Sequence, residues 1–560
     1  MQQLSSASKT MLDDFYTWEA KQPDAPFLRQ PYGDVWKTIT WAEAGKEARQ
    51  MVAALRAMGL KSGAHIGLVS KNCYHWIIAD MAIMMGGYVS VPFFPTLTAP
   101  QLAEVIELGD LEAIFVGKLD DWEKMKAGIP AELPIITFPH YEGNARVDRG
   151  VKWEDLLARY EPVAESFRPA LSDIWTIIFT SGTTGTPKGV VLEYQAPASL
   201  IAMERLHNVV GLFEGNEHRY FSYLPLNHIA ERLIVELACL HNGGYISFAE
   251  SLESFVKNLQ QTRPTLFLGV PRIWSKFQLA ILEKMPQHRL SMLLKIPILS
   301  SLIKKKIQKG LGLDQARVTF TGAAPAPDSL KQWFRSLGIN VREVYGMTEN
   351  CAGCTLMMRN ANRDGTVGQV LPEVELKSDP ESGEIVMRAP WLMQGYYKDD
   401  VKTREILRDG WLHTGDQGDV DAEGYLRITG RVADTFKSAK GKFIVPAPIE
   451  WGFAQNSYIE QICIVGLTLP QPVALAVLSE IGKNASKETV AQSLHQTLKE
   501  VNNTLANFER LAKVVVVQEA WNVENGILTP TLKIKRNAVN QRYAPYLQQW
   551  YEQGEAIVWE

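Results

Sequence analysis

The sequence predicts an α/β protein built on parallel sheets. From Trp41 to about residue 210, short apolar runs typical of buried strands alternate with longer segments whose apolar residues have helical spacing. This alternation favours parallel strands, because a crossover helix carries the chain back to the start of the next strand. After about residue 364, short β-like runs broken by Gly, Pro, Asp and Ser predict a further unit made of hairpins.

The elements follow in order along the chain. A helix is expected to begin at Trp41, because Thr40 is a suitable N-cap and apolar residues recur at helical spacing after it. Buried strands are predicted at HIGLVS, LEAIFVG, LPIITF, TLFLGV and ARVTFTGAAP. The most apolar stretch, 76–97, contains Asp80, two Gly and two Pro. It therefore favours a buried helix, a turn and a strand over a membrane-spanning helix.

The C-terminal part of the chain has a mixed pattern. Strand-like IEQICIVG, PVALAVLS and VVVVQE surround a helical segment, SKETVAQSLHQTLKEVNNTLANFERL. A stretch of this length is sufficient for a small α+β domain. We therefore predict a large N-terminal domain, residues 1–430, and a small C-terminal domain, residues 431–560.

Composition excludes several classes of protein. Of the 560 residues, 46% are hydrophobic and 21% charged, which is ordinary for a soluble globular protein. There are 58 Lys and Arg against 62 Asp and Glu, and this net charge of −4 does not favour a general nucleic-acid binder. Five scattered cysteines and an N-terminus without an apolar core predict a cytoplasmic protein without a disulfide framework or signal peptide.

The strongest local signal is the segment IIFTSGTTGTPKGVV. Its glycines let backbone N–H groups approach a polyphosphate, its hydroxyls can donate or bind Mg²⁺, and Lys188 adds positive charge. It is not a Walker P-loop, because Pro187 precedes the lysine and Gly189 follows it. Taken alone, the segment could equally be a surface loop rich in Gly, Ser and Thr.

This segment resembles the phosphate loop of the adenylate-forming superfamily, which includes acyl-CoA synthetases, peptide-synthetase adenylation domains and luciferases. Five further motifs similar to those of the superfamily follow in the same order: FSYLPLNHIAER, TGAAPAP, VYGMTEN, WLHTGDQGDVDAEGYLRITGR and ILTPTLKIKR. LPLNHIAER and RPTLFLGVPRIW are similar to segments of long-chain fatty acyl-CoA synthetases. Together the motifs cover the chain from about residue 40 to 540.

The resemblance implies a fold and an activity. The fold is a large N-terminal domain of two α/β subdomains plus a distorted β-barrel, with a small mobile α+β C-terminal domain. The activity is that of a free-standing acyl-CoA synthetase, which joins a medium- or long-chain fatty acid to ATP and passes the acyl group to CoA. One alternative is an acyl-AMP ligase or an enzyme that loads a carrier protein. Another is a non-catalytic nucleotide- or lipid-binding protein.

The resemblance also implies residue roles. The residues implied for nucleotide binding are Thr180, Ser181, Gly182, Thr183, Thr184, Gly185 and Lys188 at the phosphates, Gly322, Ala323, Ala324, Tyr345 and Gly346 at the adenine, and Asp416 and Arg431 at the ribose. The residues implied for catalysis and metal binding are Lys533 between carboxylate and α-phosphate, Thr348 at the α-phosphate, Glu349 with Thr183 as Mg²⁺ ligands, and His228 beside the acyl carboxylate.

Each of these residues also has an ordinary structural interpretation. Asp416 in HTGD could be a turn residue, and Thr348 with Glu349 could begin a helix. Lys533 alone would be a solvated surface lysine. Cys351 and Cys354 form a C-x-x-C without a second pair at zinc spacing, so we interpret them as small pocket or packing residues.

Three positions depart from the family pattern. Ala433 stands where Asp or Lys is usual, with Asp434 next to it, and Lys440 with Gly441 replaces a pair of glycines. Leu532 precedes Lys533 where glycine is common. The first two departures concern the hinge and the thioester step more than adenylation. The C-terminal domain is expected to rotate about Ala433–Asp434 between the two steps.

Residues 284–313 form a basic amphipathic segment. They include seven Lys or Arg and no acid, interleaved with Leu, Ile and Met. Two interpretations stay open. The segment could be a solvated helix pair whose apolar face packs on the domain, or it could contact the anionic inner face of a membrane peripherally.

Overall fold

The structure, a computed structural model, describes residues 8–181, 186–439, 441–467, 469–529 and 533–560, the side chain of Ser181 excepted. Its contacts divide the chain into two compact units. The large unit comprises the described parts of Met1–Thr180, Thr186–Glu375 and Arg388–Gly410. The small unit comprises Ser181, Leu376–Met387 and the described parts of Trp411–Glu560. This mixed α/β architecture with one large and one small unit confirms the predicted fold class.

The large unit is built around three sheets. The largest has the strand order Gly395–Tyr396, Pro187–Glu193, Ile174–Ser181, Val89–Phe93, His65–Val69, Leu111–Val116, Ile135–Thr137, Val151–Lys152. A second has the order Arg219–Ser222, Tyr245–Phe248, Pro26–Tyr32, Val35–Thr40. The third has the order Leu266–Leu268, Val318–Thr321, Val341–Tyr345, Thr355–Leu356, Gln369–Val370. Most pairings are parallel, as the alternating sequence pattern predicts.

Helices cover these sheets. Those of the large unit are Met11–Lys21, Trp41–Ala57, Tyr74–Gly86, Ala99–Leu108, Trp153–Arg159, Gln195–His207, Ile229–Glu231, Ala238–Asn242, Phe255–Thr262, Pro271–Lys284, Gln287–Leu294, Pro297–Leu311, Asp328–Ser336 and Asp400–Ile406. Single 3₁₀ turns lie at Lys126–Gly128 and Thr348–Asn350, and a π-helix at Arg232–Leu237. Leu407–Arg408 is a further short strand.

Local sequence signals explain several of these elements. The hydroxyl of Thr40 accepts from the N–H of Glu43, whose carboxylate accepts from Thr40 N–H, so the predicted cap at Trp41 is confirmed as a capping box. The predicted buried helix is confirmed at Tyr74–Gly86, which is buried on every side. No helix among the described residues is both long enough and apolar enough to cross a membrane.

The small unit contains two sheets and a hairpin. The first sheet includes the strands Glu375–Ser378, Glu384–Arg388, Trp411–Val420 and Leu426–Arg431. The second has the order Ile459–Val465, Val473–Leu478, Val514–Val517, Ile557–Trp559, and Phe436–Lys437 pairs with Phe443–Ile444. The helices of the small unit are Pro446–Trp451, Glu480–Asn484, Lys487–Thr504 and Arg536–Glu552, and a 3₁₀ turn lies at Val432–Asp434.

The end of one helix and the grouping of residues around the domain boundary differ from what the sequence predicts. The long C-terminal helix ends at Thr504, because the side chain of Asn502 bonds the backbone N–H and carbonyl of Leu511 and turns the chain back. Contacts group 376–387 and 411–430 with the C-terminal residues, whereas the sequence places them before the boundary at 430. That boundary and the β-barrel remain predictions.

Candidate active site

The segment around the predicted phosphate loop begins and ends in strands of the largest sheet. Ile174–Ser181 leads into it and Pro187–Glu193 leads away from it. The hydroxyl of Thr180 donates to the carbonyl of Lys188 at 3.4 Å, so the two ends of the segment are close together. Gly182, Thr183, Thr184 and Gly185 lie outside the described residues, as does the side chain of Ser181.

Tyr396 joins two predicted site residues and was missed by the sequence interpretation. The ammonium of Lys188 lies 5.2 Å from the centroid of the Tyr396 ring. The hydroxyl of Tyr396 donates to Oε1 of Glu349 at 2.9 Å. The large unit therefore brings Lys188 to the ring face and Glu349 to the hydroxyl of one buried tyrosine. The only signal in the sequence was the aromatic pair in MQGYY, which had no assigned role.

The predicted adenine residues lie at the carboxyl ends of two adjacent parallel strands. Gly322 follows Val318–Thr321, and Tyr345 ends Val341–Tyr345, with Thr321 in register with Glu343. A Cβ on Gly322 would lie 2.8 Å from the carbonyl oxygen of Val344, so only glycine permits this approach. Ala323 and Ala324 follow in an exposed turn. Edges of this kind are common ligand sites in α/β sheets.

Thr348 and Glu349 lie in a buried 3₁₀ turn, Thr348–Asn350. The side chain of Asn350 accepts from Met347 N–H at 2.8 Å and fixes the start of the turn. A Cβ on Gly346 would lie 2.3 Å from the carbonyl oxygen of Ala352, so the chain can fold back here only because residue 346 is glycine. The Glu349 carboxylate is a hard oxygen ligand of the type that suits Mg²⁺, so its chemistry fits the predicted metal role.

His228 precedes the short helix Ile229–Glu231. Its Nδ1 accepts from the N–H of Ala230 at 3.3 Å, which puts the proton of the neutral ring on Nε2. The preceding turn is held by Asn72, whose amide donates to Ser222 and to the carbonyl of Leu224. His228 is thus fixed in orientation, as a positioning residue would be.

A buried group of charged residues follows His228 and was not predicted. Glu231 accepts from Tyr223 N–H at 3.0 Å, and burial raises its pKa to about 8. Arg232 is fully buried and donates to Asp80 at 2.5 Å and to Glu236 at 3.3 Å. Burial and the neighbouring Asp80 raise the pKa of Glu236 well above its usual range. The sequence showed these charges but not that they face inward.

Cys351 and Cys354 are both buried, and neither forms a disulfide. Burial raises the pKa of Cys351 to about 12, so this thiol stays protonated at neutral pH. Both cysteines are thus placed as small packing residues.

The small unit contains the remaining predicted residues. Asp416 and Arg431 are partners across the antiparallel strands Trp411–Val420 and Leu426–Arg431, and Arg431 Nε lies 2.9 Å from Asp416 Oδ1. Lys533 is exposed, and Thr529 anchors its backbone. The N–H of Lys533 donates to the hydroxyl of Thr529 at 3.0 Å, and the carbonyl of Lys533 accepts from the N–H of Thr529 at 2.8 Å. Leu532 lies outside the described residues.

The predicted hinge residues lie in the 3₁₀ turn Val432–Asp434. The carboxylate of Asp434 lies 3.6 Å from Arg536, which begins the helix after Lys533. Arg536 also donates to the carboxylate of Glu450 and to the carbonyl of Ile464. Lys440 lies outside the described residues, so its effect on the thioester step stays a prediction.

Comparisons with known proteins agree on one family. Residues 15–397 match the family described as "AMP-binding enzyme", and residues 433–555 match "AMP-binding enzyme C-terminal domain". "Long chain acyl-CoA synthetase 7, peroxisomal" from Arabidopsis thaliana is 31% identical, covering 92% of this chain and 81% of the relative. "Long-chain-fatty-acid–CoA ligase 5" from Rattus norvegicus is 29% identical, covering 98% and 90%.

Solved structures show the same fold. The anthranilate CoA ligase AuaEII in complex with anthranoyl-AMP has a TM-score of 0.76 at 20% identity, covering 97% of this chain and 98% of that one. The A domain of carboxylic acid reductase from Segniliparus rugosus has a TM-score of 0.76 at 20% identity, covering 98% and 96%. The family match covers well over half of the sequence, and the chain belongs to the AMP-binding enzymes.

Proposed function

We propose that this protein is an AMP-forming acid–thiol ligase that converts a medium- or long-chain fatty acid to its CoA thioester, using ATP and Mg²⁺. The observation that carries the proposal is the contact of both Lys188 and Glu349 with Tyr396, since it brings a cation suited to phosphate and a carboxylate suited to Mg²⁺ to one place. Relatives described as long-chain acyl-CoA ligases, which match nearly the whole chain, support the choice of acid.

The first step requires two anions to meet, the fatty-acid carboxylate and the α-phosphate of ATP. Charge neutralisation is therefore the main catalytic task. Lys188 and the hydroxyls of the phosphate loop hold the β- and γ-phosphates, and Thr348 donates to the α-phosphate. Glu349 and Thr183 would hold Mg²⁺, which would supply positive charge beside the phosphates. Lys533 bridges the two reacting anions.

Further residues orient the substrates. Asp416 accepts hydrogen bonds from the ribose hydroxyls, with Arg431 beside it, and Tyr345 stacks on the adenine. His228 donates from Nε2 to the acyl carboxylate, a direction set by the hydrogen bond that its Nδ1 accepts. The fatty-acid oxygen attacks the α-phosphorus, pyrophosphate leaves, and acyl-AMP is formed.

The second step transfers the acyl group. We propose that the C-terminal domain rotates about Ala433–Asp434, which withdraws Lys533 and admits CoA. The thiol sulfur then attacks the acyl carbonyl, the thioester forms, AMP leaves, and the thiol proton passes to solvent. A rotation suits this chemistry, because the same cavity has to serve pyrophosphate departure first and thiol attack afterwards.

The test is acid-dependent pyrophosphate release over a panel of fatty acids from short to long chains, with and without CoA. We expect release with medium or long chains and a thioester product when CoA is present. Acyl-AMP that accumulates despite CoA would favour an acyl-AMP ligase or a carrier-loading enzyme. The absence of pyrophosphate release with every acid would favour a non-catalytic binding protein.

We also propose that this cytoplasmic enzyme contacts the anionic inner face of a membrane through residues 284–313. The helices Gln287–Leu294 and Pro297–Leu311 pack on the large unit with Leu290 and Leu311, which are buried. Several of their other apolar residues face outward, with exposed fractions of 77% for Ile298 and 60% for Leu302. Lysines without neighbouring acids flank this apolar surface, and the combination fits an interfacial helix on anionic lipid.

Vesicle co-sedimentation tests the membrane contact. Replacing Lys304, Lys305 and Lys306 by Glu should weaken binding to phosphatidylglycerol vesicles at least about tenfold, since each lysine contributes roughly 1 kcal/mol near such a surface. Phosphatidylcholine vesicles should bind neither form well. The matched control replaces Lys483, Lys487 and Lys499, which are exposed on the small unit. Equal binding of the triple variant and the wild type to anionic vesicles would reject this surface.

A further inference from the structure

The segment 393–397 is hydrogen-bonded to the strand that follows the predicted phosphate loop. Gly395 and Tyr396 pair with Val191 and Val190 in antiparallel fashion. Tyr397 N–H donates to the carbonyl of Gly189 at 2.7 Å. Because Gly189 directly follows Lys188, the position of this segment is tied to the base of the phosphate loop.

The same segment holds both the backbone and the side chain of Glu349. Met393 N–H donates to the carbonyl of Glu349 at 2.8 Å. The hydroxyl of Tyr396 donates to Oε1 of the Glu349 carboxylate at 2.9 Å. Two contacts to one residue fix both the place of its Cα and the direction of its carboxylate.

The Tyr396 side chain is suited to a fixed role. It is 6% exposed, and the N–H of its backbone donates to the hydroxyl of Thr403 at 2.8 Å. Its ring presents a π face to the Lys188 ammonium at 5.2 Å, within the range of a cation–π contact.

We propose that Tyr396 is a positioning residue that orients the Glu349 carboxylate for the metal ion and holds the Lys188 ammonium at a fixed place relative to it. The proposal rests on the metal role of Glu349 given above. The phenol engages one carboxylate oxygen and thereby sets the plane in which the group meets a cation. Hydrogen bonds to ligand carboxylates commonly tune metal sites in this way.

A purely structural role is the competing explanation, since a buried tyrosine hydroxyl usually has a partner. The two explanations differ in what a variant changes. A structural tyrosine would alter the thermal stability of the protein and leave metal affinity unchanged. A positioning tyrosine would alter metal affinity and leave the fold intact.

The test measures binding of Mn²⁺, used in place of Mg²⁺, by electron paramagnetic resonance with α,β-methylene-ATP present. Tyr396→Phe removes the hydroxyl and keeps the ring. We expect Mn²⁺ affinity to fall about tenfold, the usual scale for losing a hydrogen bond to a charged group. Tyr397→Phe is the matched control, because the Tyr397 hydroxyl donates to Asp110 at 2.7 Å instead. It should bind Mn²⁺ like the wild type.

Glu349→Gln separates this proposal from the metal assignment itself. It should weaken Mn²⁺ binding at least as much as Tyr396→Phe does, and the double variant should be little weaker than Glu349→Gln alone. Wild-type affinity in Tyr396→Phe, or full additivity in the double variant, would overturn the positioning role and leave the metal role in place. Wild-type affinity in Glu349→Gln would overturn both.

Tyr396→Leu tests the contact with Lys188. It removes the ring as well as the hydroxyl, so binding of the ATP analogue in metal-free buffer should weaken severalfold relative to Tyr396→Phe. If the two variants bound the ATP analogue with equal affinity, the contact between Tyr396 and Lys188 would play no part in positioning.

The thermal midpoint of Tyr396→Phe should stay within a few degrees of the wild type. A large drop in the midpoint with unchanged Mn²⁺ affinity would favour the structural explanation.

Discussion

Asp416 and Arg431 face each other across two antiparallel strands, with the Nε of the arginine 2.9 Å from Oδ1 of the aspartate. The ion pair holds the carboxylate in one orientation. Asp416→Ala should raise the KM for ATP at least about tenfold, because hydrogen bonds from the ribose to a charged acceptor are lost. Steady-state kinetics and calorimetric titration of ATP measure this change.

The control for this prediction is Asp419→Ala, an exposed carboxylate on the same strand. It should leave the KM for ATP unchanged. With 2′,3′-dideoxy-ATP the difference between Asp416→Ala and the wild type should nearly disappear, since this nucleotide lacks the hydroxyls that we propose the carboxylate binds. A difference in KM that persists with the dideoxy nucleotide would show that Asp416 does not bind the ribose hydroxyls.

Local signals in the sequence predicted local structure well. The capping box at Thr40, the buried helix at Tyr74–Gly86 and the buried strands depend on residues within a few positions of one another. The motif order also predicted that Asp416 and Arg431 belong to one part of the site. They become strand partners because a hairpin brings two nearby segments together.

The features that sequence reasoning missed depend on long-range packing. The side chain of Tyr396 contacts Lys188 and Glu349, because strand pairing brings together segments that are far apart in the sequence. The inward direction of Arg232 follows from Asp80, a residue on another helix, and from the ring of Trp175 at 4.2 Å. Neither partner is visible in a window around Arg232, where a charged run normally indicates a solvated face.

Lys533→Ala should lower acid-dependent ATP–pyrophosphate exchange by about 100-fold or more, the scale for removing one charged group that stabilises a phosphoryl transition state. ATP binding should change little, and CoA thioester formation from synthetic acyl-AMP should persist. Lys499→Ala, an exposed lysine of the same unit, is the control and should exchange normally. Unchanged ATP–pyrophosphate exchange in Lys533→Ala would show that this lysine has no role in the first step.

Glu231 should make stability depend on pH. Burial raises its pKa from 4.5 to about 8, so between these values the native state holds a proton that the unfolded chain has lost. This contribution to stability is present below pH 4.5 and is lost as the pH rises through 8, at up to about 1.4 kcal/mol per pH unit.

Glu231→Gln removes that titration and retains an acceptor oxygen. The difference between the free energy of unfolding of the variant and that of the wild type should therefore shift in favour of the variant from pH 5 to pH 8, by roughly 3 kcal/mol or more. Urea denaturation at several pH values measures the difference. A difference that stays constant with pH would show that Glu231 is ionised in the native protein at neutral pH.

Arg536 should be a main stabilising residue of the small unit. Its guanidinium lies 2.8 Å from the Glu450 carboxylate and donates to the Ile464 carbonyl at 2.7 Å. Burial raises the pKa of Glu450, and the positive charge of Arg536 opposes that rise. Arg536→Met should lower the free energy of unfolding by about 3 kcal/mol, because Glu450 is left mostly buried without its cation.

A second substitution tests the cause of that loss. Glu450→Gln in the Arg536→Met background should restore part of the stability, since it removes the uncompensated charge. Hydrogen exchange gives a local measurement, because Ile464 N–H donates to Glu450 at 2.7 Å. Peptides covering 459–465 should exchange faster in Arg536→Met and slow again in the double variant. If the double variant were less stable than Arg536→Met alone, packing of the arginine side chain rather than its charge would be the source of the stability.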